Sequence, residues 1–405
     1  MKEKLLQAFD ETEALEILKT FINIPSHTAC ERRERDIAEF MIKLFEKEGI
    51  ECYLQPIDND RGNVIARIGG GKGGKSLMLN GHMDTVPVFG MEDPFGADIR
   101  EGYLFGRGAC DMKSGLAAMV YAMILLHRID VQLEGDLFVA GVIDEEAAKS
   151  TGSRYIAEKG PITDFAIVGE PTCLSAVIAH KGIDYFEIEF TGKGAHSSNP
   201  KNGINAIYAA TDFVSYIRDV FVPEYETLVH PLVGAPTINV GLITGSAEIN
   251  KNYLLGKSET FAGVVPDSAT VYVDVRWTPN QSVEMILEQL KVAANTVITK
   301  TPGINIEVRY IPLPRPAMEI KKDEILTRSL VNNIEAVINE PATVEGVSYF
   351  ADTGILYGVG GIKSIVFGPG DIADAHSVGE KVELEQYYNA VKIYAMTAME
   401  VCQVK

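Results

Sequence analysis

The chain has 405 residues, of which 46% are hydrophobic, and a formal net charge of -19 at pH 7. This length exceeds the size at which a single hydrophobic core stops growing, so we expect two domains. The negative charge argues against sequence-independent binding of nucleic acid, which requires clustered Lys and Arg, and it also disfavours contact with anionic membrane surfaces.

The five cysteines are scattered along the chain and include no Cys-X-X-Cys pair. We therefore predict neither a disulfide framework nor a cysteine-based zinc site, and we expect reduced thiols. The N-terminal residues lack the apolar core of a signal peptide, and no apolar run is long enough to span a bilayer. These features predict a soluble, cytoplasmic protein.

The first predicted elements lead to a histidine motif. Apolar residues at helical spacing over 37–45, followed by Gly49, predict an amphipathic outer helix, and alternation over 63–68 predicts a strand. A short apolar run then delivers His82 and Asp84. A histidine and a carboxylate two residues apart at the end of a strand are typical of a metal ligand and the group that orients it. A half-buried histidine in a turn is the alternative interpretation.

Acidic residues and a second histidine follow the next predicted elements. Asp111 precedes an apolar helical stretch over 116–126, where an aspartate most often serves only as an N-cap. Three further apolar runs predict buried strands, followed by Glu145 and Glu146 after 137–143, Glu170 after 165–169, and His376 after 362–367. Because strands alternate with helices, we expect an α/β fold with a mixed, mostly parallel sheet flanked by helices and with these strand ends on one edge.

The pattern changes near residue 180. Alternation and helical spacing predict strands over 185–190, 271–277 and 304–310, and helices over 204–211 and 283–297. These five elements fit a split βαβ unit, whose full order of strand, helix, strand, strand, helix, strand contains one strand more. We therefore predict a catalytic domain of residues 1–179 and 316–405, interrupted by an inserted α+β domain of residues 180–315, with residues 312–316 as the return linker.

Brought to one sheet edge, the candidates form a set of imidazoles and carboxylates: His82, Asp111, Glu145, Glu146, Glu170 and His376. Carboxylates in one cleft repel each other unless cations neutralise them. Two divalent ions would do so, and this donor set suits Zn²⁺, with Co²⁺ or Mn²⁺ as substitutes. Asp111 is the natural bridge between two ions. Adjacent glutamates point to opposite sides of an extended chain, so one can bind metal while the other acts as general base.

These residues also carry a resemblance to a known family. The sequence resembles the two-zinc amidohydrolases that include acetylornithine deacetylase, succinyl-diaminopimelate desuccinylase, aminoacylase and carboxypeptidase G, through ordered motifs at residues 81–87, 106–113, 144–146, 169–172 and 375–377. The resemblance covers nearly the whole chain and implies a zinc-exopeptidase-like fold. It implies that His82 and Glu170 bind one zinc ion, that Glu146 and His376 bind the other, and that Asp111 bridges them. It further implies that Glu145 is the general base and that Asp84 orients His82.

The inserted residues resemble the lid of the same family. The resemblance implies that His196 reaches the active site of a partner subunit and stabilises the oxyanion, and hence that the protein is a homodimer through its lid. Arg276 matches the lid arginine that holds the substrate carboxylate, and it lies on the polar face of its strand. A solvated sheet arginine is the alternative. Asn239 is a further lid candidate for substrate binding, and the remaining histidines, His27, His127, His180 and His230, are interpreted as structural.

The resemblance implies hydrolysis of the amide bond of a small N-acyl amino acid. Residues 113–115, 147–150 and 346–353 depart from the family motifs without touching the implied metal ligands, so the acyl group stays open. A metallopeptidase acting on dipeptides or C-terminal residues is the nearest alternative. A metal-stabilised binding protein without turnover is a third, but the presence of Glu145 argues against it, because a pure binder needs ligands and no base.

Overall fold

The fold is described by a computed structural model for residues 1–71, 73–147, 149–257, 259 and 262–404. Its internal contacts divide the chain into two compact units. The larger unit comprises Met1–Ala179, Met318–Gly346 and Ala351–Lys405, and the inserted unit comprises His180–Ala317 with Val347–Phe350. The predicted domain limits, and the function of the inserted residues as a lid and dimerisation domain, stay predictions.

The strands, in chain order, are β1 (Glu51–Asp58), β2 (Arg61–Ile68), β3 (Leu77–His82), β4 (Asp98–Arg100), β5 (Tyr103–Phe105), β6 (Leu137–Val142), β7 (Phe165–Val168), β8 (Ala176–His180), β9 (Gly182–Thr191), β10 (Thr237–Ser246), β11 (Ser268–Trp277), β12 (Asn305–Arg315), β13 (Met318–Glu319), β14 (Val344–Val347), β15 (Lys363–Val366) and β16 (Lys381–Glu383).

The α-helices are α1 (Lys2–Ala8), α2 (Glu11–Asn23), α3 (Arg35–Glu48), α4 (Lys113–Arg128), α5 (Thr151–Lys159), α6 (Ala206–Tyr216), α7 (Val222–Tyr225), α8 (Glu248–Leu254), α9 (Val283–Lys300), α10 (Ile325–Ile338), α11 (Thr353–Gly358) and α12 (Leu384–Val401). Gly49 follows helix α3, as predicted, and adopts the left-handed conformation of a C-cap. Within the described residues, no helix is both long enough and apolar enough to cross a membrane.

A mixed sheet in the order β1-β2-β6-β3-β7-β15-β8-β13 forms the centre of the larger unit. Strands β6, β3, β7 and β15 run parallel to one another, whereas β1 pairs antiparallel with β2, β2 with β6, and β8 with β15. Strand β3 is buried along its whole length, as expected for a parallel strand covered on both faces. These observations confirm the predicted α/β fold class, a mixed, mostly parallel sheet flanked by helices.

Helix α4 is a buried helix of the larger unit that begins beside the end of β7. It is buried from Lys113 to Leu126 because it packs against α2 and α12, as expected of a helix that is apolar all round. Its first turn approaches β7 closely, and a Cβ at Gly115 would lie 2.1 Å from the carbonyl oxygen of Gly169. Only glycine at position 115 permits this approach, which places the start of α4 directly beside the residue that precedes Glu170.

The inserted unit contains an antiparallel sheet in the order β10-β11-β9-β12. Helices α6 and α9 cover one face, and their apolar side chains share a core with the inward residues of β9 and β11. The order of elements is the split βαβ arrangement. Under the sheet, the buried Asp184 carboxylate accepts hydrogen bonds from Trp277 Nε1 at 2.7 Å and from the Tyr310 hydroxyl at 2.8 Å.

The predicted linker over 312–316 is largely wrong. Strand β12 continues to Arg315, which pairs with Ile183 beyond an irregularity that starts at Ile311. Prolines are tolerated in this strand because it lies at the edge of the sheet, where a missing N–H breaks no ladder hydrogen bond. The proline-rich segment therefore belongs to the inserted sheet itself.

Candidate metal centre

His82 ends β3 and is almost fully buried, with 2% of its surface exposed. Its Nδ1 donates a hydrogen bond of 2.9 Å to the main-chain carbonyl oxygen of Asp84. This bond fixes the tautomer and leaves Nε2 with a free lone pair. Nε2 lies 3.0 Å from Asp111 Oδ1 and 3.7 Å from Glu170 Oε1. The ring therefore presents one nitrogen to two carboxylates.

The Asp84 carboxylate connects two strand ends. It lies 3.6 Å from His82 Nδ1, farther than the carbonyl oxygen of the same residue. Its two oxygens accept the main-chain N–H groups of Glu145, at 3.2 Å, and of Glu146, at 2.9 Å. Burial raises the pKa of this carboxyl to about 7. The structure thus gives Asp84 a contact with the glutamate turn that the sequence does not indicate.

Asp111 lies between the two histidines. Its Oδ1 is 3.0 Å from His82 Nε2, and its Oδ2 is 3.3 Å from His376 Nε2. The N-cap interpretation does not apply, because α4 begins at Lys113 and its N-cap residue, Met112, makes no side-chain cap. The two oxygens of this one carboxylate therefore face two different imidazole nitrogens.

The second histidine also contacts one of the adjacent glutamates. His376 Nε2 lies 3.2 Å from Glu146 Oε1. One potential ligand atom from each of His82, Asp111 and Glu146 lies within 4.8 Å of the other two. Glu145 takes part in neither histidine contact, although its main-chain N–H is held beside that of Glu146. The structure therefore gathers the predicted residues at one sheet edge and separates the two glutamates by their contacts.

The electrostatics of this cluster indicate an environment that favours a bound cation. Burial raises the pKa values of the Glu145 and Glu170 carboxyls well above their usual range, and neighbouring carboxylates raise them further. Burial would lower the pKa of His82, but Glu170 and Asp111 raise it well above its usual value. Hydrogen bonds with Asp111 and Glu146 raise the pKa of His376 to about 10.

Among the described residues, the ion-pair partners of Asp111, Glu146 and Glu170 are histidines rather than lysines or arginines. Imidazole nitrogens and carboxylate oxygens in this arrangement are the donors that divalent transition metals and zinc prefer. A metal would neutralise the carboxylates, whose mutual repulsion is otherwise met only by protons. The residues present therefore fit a metal centre.

The turn that carries the two glutamates is anchored by Asp144, which the sequence motif contains but to which we assigned no function. Its carboxylate receives a bidentate pair from Arg61, at 2.9 Å and 3.1 Å. Arg61 also pairs with the buried Glu34 at 3.0 Å. Asp144 has a φ of 62°, an unusual value for a residue with a side chain. These partners are distant in the sequence, so no local signal identifies them.

The three predicted residues of the inserted unit are His196, Arg276 and Asn239. His196 is exposed, and its Nδ1 accepts the N–H of Ser198 at 3.1 Å. A neutral His196 ring with this hydrogen bond therefore carries its proton on Nε2. Arg276 donates through Nε to Asp274 at 3.2 Å and keeps about a third of its side chain exposed, 35%. Asn239 pairs in register with Asp274, so Asn239 and Arg276 lie on the same face of the sheet.

The departures from the family motifs also have structural settings. Lys113 is buried and donates through Nζ to the carbonyl oxygen of Ile24 at 2.7 Å. In the segment 346–353, Asp352 accepts a hydrogen bond of 2.6 Å from Ser153 Oγ. Of the departure at 147–150, Ala148 lies outside the described residues. His180, predicted to be structural, is buried, and burial lowers its pKa to about 4.

A mixed α/β sheet with imidazoles and carboxylates gathered at its strand ends is the architecture of a metal-dependent hydrolase. Residues 78–400 match peptidase family M20/M25/M40. The chain belongs to this family and is a hydrolase, which confirms the resemblance inferred from the motifs.

Two relatives match almost the full length of the chain. The acetylornithine deacetylase of Proteus mirabilis is 30% identical over 384 residues, which cover 91% of this chain and 92% of that enzyme. A Staphylococcus epidermidis protein named "Probable succinyl-diaminopimelate desuccinylase" is 27% identical over 410 residues, covering 96% and 98%. Among solved structures, the YXEP protein of Bacillus subtilis, a dinuclear metal-binding peptidase, matches with a TM-score of 0.72 at 16% identity, covering 98% of this chain and 99% of that one. This likeness shows the shared fold.

Proposed function

We propose that this protein hydrolyses the amide bond of a small N-acyl amino acid of the deacetylase or desuccinylase type, releasing a carboxylate and a free amine. The names of the two relatives that match almost the full chain support this substrate class. Family membership supports a metal-dependent reaction, and the dinuclear structural neighbour supports two ions per chain.

The arrangement around Asp111 carries the proposal. One carboxylate whose two oxygens face two different histidines, at 3.0 Å and 3.3 Å, is the geometry expected of a bridge. We assign His82 and Glu170 to one ion, because Glu170 lies 3.7 Å from His82. We assign His376 and Glu146 to the other, because these two side chains are in contact at 3.2 Å.

The proposed ligands would hold two divalent ions at this centre, and these would supply Lewis-acid activation of the amide carbonyl and of the attacking water. Zn²⁺ suits the mixed nitrogen and oxygen donors best, and Co²⁺ or Mn²⁺ would substitute for it. Glu145 is then the general base. Its carboxylate accepts a proton from the attacking water and delivers it to the departing amide nitrogen. The Asp84 carboxylate keeps this base in place by holding the N–H groups of both glutamates.

The inserted unit supplies the proposed substrate contacts. Arg276 is a clamp for the substrate carboxylate, with Asn239 beside it on the same sheet face. His196 directs its Nε2 proton at the oxyanion, because Nδ1 is already engaged by Ser198. The His196 contact is made in the partner's site of a homodimer.

Strand β10 supports the dimer. It lies at the sheet edge, and in the described part of the chain it pairs with β11. Leu242 and Ile243 on this strand are 51% and 46% exposed, and Leu254 of the neighbouring α8 is 73% exposed. An open strand edge with apolar neighbours is a surface that a second copy can cover by continuing the sheet.

The test combines metal analysis with a substrate panel. Fully loaded protein should contain two divalent ions per chain, and it should hydrolyse N-acetyl or N-succinyl amino acids faster than dipeptides. A chelator should abolish turnover, and Zn²⁺ or Co²⁺ should restore it. Preference for dipeptides would favour the second candidate, a metallopeptidase, which the peptidase named as a structural neighbour supports. One ion per chain would contradict the proposed centre.

A further inference from the structure

The Glu380 carboxylate is buried beneath the segment that carries Asp111. Its Oε1 accepts two main-chain hydrogen bonds, from the N–H groups of Cys110 and Asp111, each 3.0 Å long. No part of Glu380 is exposed. A carboxylate that accepts two consecutive N–H groups fixes the direction of the chain between them, and here it fixes the backbone from which the Asp111 side chain projects.

The other oxygen of Glu380 pairs with a second buried charge. Arg107 is also fully buried, and its Nη1 contacts Glu380 Oε2. Its Nη2 donates to the main-chain carbonyl oxygen of Ser377 at 3.2 Å. Ser377 directly follows His376. The guanidinium therefore holds the backbone of the segment that carries the second histidine, while its partner holds the backbone of Asp111.

Further hydrogen bonds join the same two segments. The N–H of Gly106 donates to the Glu380 carbonyl oxygen at 3.1 Å, and Cys110 Sγ donates to the Asp371 carbonyl oxygen at 3.0 Å. Beyond them, β5 pairs antiparallel with β16. The Arg107–Glu380 pair joins the same two segments, and both of its side chains hold main-chain groups at or next to proposed metal ligands.

A buried ion pair is poor evidence for stability, because desolvation of two charges offsets much of their attraction, and an apolar pair of similar volume is often as stable. Its hydrogen bonds to selected main-chain groups are what an apolar pair cannot reproduce. A function in positioning explains why charges are placed here, since they hold the two ligand-bearing segments at a set separation.

We propose that Arg107 and Glu380 are positioning residues that set the separation of Asp111 and His376. They thereby set the affinity of the second metal ion, the one that we assign to His376 and Glu146. This inference rests on the proposed two-ion centre. Glu380 holds the backbone of Asp111, which both ions share, and the main-chain contact of Arg107 is with the His376 segment. Loss of a group that orients metal ligands typically lowers metal affinity by about 10–100-fold.

Two double variants separate the two contacts without leaving a buried charge unpaired. In R107M/E380Q, the glutamine oxygen still accepts the N–H groups of Cys110 and Asp111, but the link to Ser377 is lost. In R107M/E380M, both contacts are lost. R128M is the control for the loss of an arginine ion pair elsewhere, because Arg128 pairs with Glu13 and Glu48 in contacts remote from the metal ligands.

Stepwise binding of Co²⁺ to metal-free protein, followed by calorimetry and visible absorption, gives the readout, with H376A as the reference for a centre that lacks its second ion. R107M/E380Q should bind one ion as the wild type does and the other roughly 10–100-fold more weakly. R107M/E380M should bind both ions more weakly, and R128M should bind both normally.

Thermal unfolding of the metal-free variants separates a folding defect from a positioning defect, and R107M/E380Q decides the matter if R107M/E380M does not fold. Unchanged affinities for both ions in folded R107M/E380Q, or an equal loss of both, would overturn the proposal. Wild-type protein that binds fewer than two Co²⁺ ions would refute the two-ion centre itself. If the wild-type protein binds two ions and the variants bind both with unaltered affinity, only the positioning function is refuted.

Discussion

Replacing Glu145 with glutamine should stop turnover while leaving the metal centre intact. The substitution keeps the size of the side chain and removes its ability to accept a proton. The contacts that locate this residue are main-chain bonds from Glu145 and Glu146 to Asp84, and the substitution does not alter them. The contact between Glu146 and His376 is also retained. The expected loss is therefore that of a general base alone.

Loss of a general base lowers the rate by about 10²–10⁴, which corresponds to a rise of about 3–5 kcal/mol in the activation free energy. The effect should fall on kcat with little change in KM. Metal analysis should still find two ions. Unfolding of the metal-free variant should require at least as high a temperature as the wild type, because burial raises the pKa of the Glu145 carboxyl and the substitution removes a desolvated acid.

Glu146→Gln is the matched control, since it makes the same chemical change one residue later. It should weaken binding of one ion, because Glu146 contacts His376. Substantial activity in the Glu145 variant, or loss of metal from it, would refute the division of functions between the two glutamates. Equal metal contents and equal activities in both variants would refute it as well.

Three further predictions concern the inserted unit. Arg276→Ala should lower kcat/KM for substrates with a free carboxylate by roughly 10–100-fold, because charge-assisted hydrogen bonds contribute about 1.5–3 kcal/mol, and methyl esters of the same substrates serve as the comparison. Co-expression of Glu145→Ala chains with His196→Ala chains should restore about one quarter of wild-type activity, because each mixed dimer of random assembly holds one intact site. Asp184→Asn should flatten the dependence of stability on pH between about pH 4 and 6. Burial raises the pKa of the Asp184 carboxyl to about 6, whereas the ordinary value is about 3.9, so the folded state binds the proton more tightly than the unfolded state does.

The sign of the Asp184 effect follows from this raised pKa. Its contribution to the free energy of unfolding is fully present below about pH 4 and is lost as the pH rises through about 6, a change of roughly 3 kcal/mol. Denaturant unfolding of wild type and variant at several pH values measures it, and parallel curves would contradict it. For Arg276, equal hydrolysis of acids and of their methyl esters by the wild type would refute its proposed binding of the substrate carboxylate. For His196, absence of rescue or a monomer in solution would exclude action in trans.

The ends of the central strands are predictable from one sequence for a physical reason. Parallel strands buried on both faces are nearly continuous apolar runs. The change to polar residues at His82 or at Glu170 can therefore be recognised in the local sequence. Helix α10 is equally clear from its spacing, over Ile325–Ile338. Strand β10 is not, because its edge position leaves Leu242 and Ile243 exposed and removes a clear alternation.

The residues that hold the proposed ligands in place could not be predicted. Glu380 stands between a glycine and a lysine, a local pattern typical of a solvated turn, yet its partners Cys110 and Asp111 lie 270 and 269 positions away. Arg61 likewise meets Asp144 at a separation of 83 residues. Such contacts depend on the assembled sheet, and a single sequence contains no periodic signal for them.

Strand β15 enters the central sheet between β7 and β8, although almost all of the inserted unit separates it from both along the chain. At about 5–20 residues per second, a ribosome delivers β15 roughly 10–40 s after β7. During this interval the nascent sheet has a gap with unpaired strand edges, and the inserted residues can complete their own core first. His376 emerges after every other proposed ligand, so the metal centre can be assembled only when translation is almost finished.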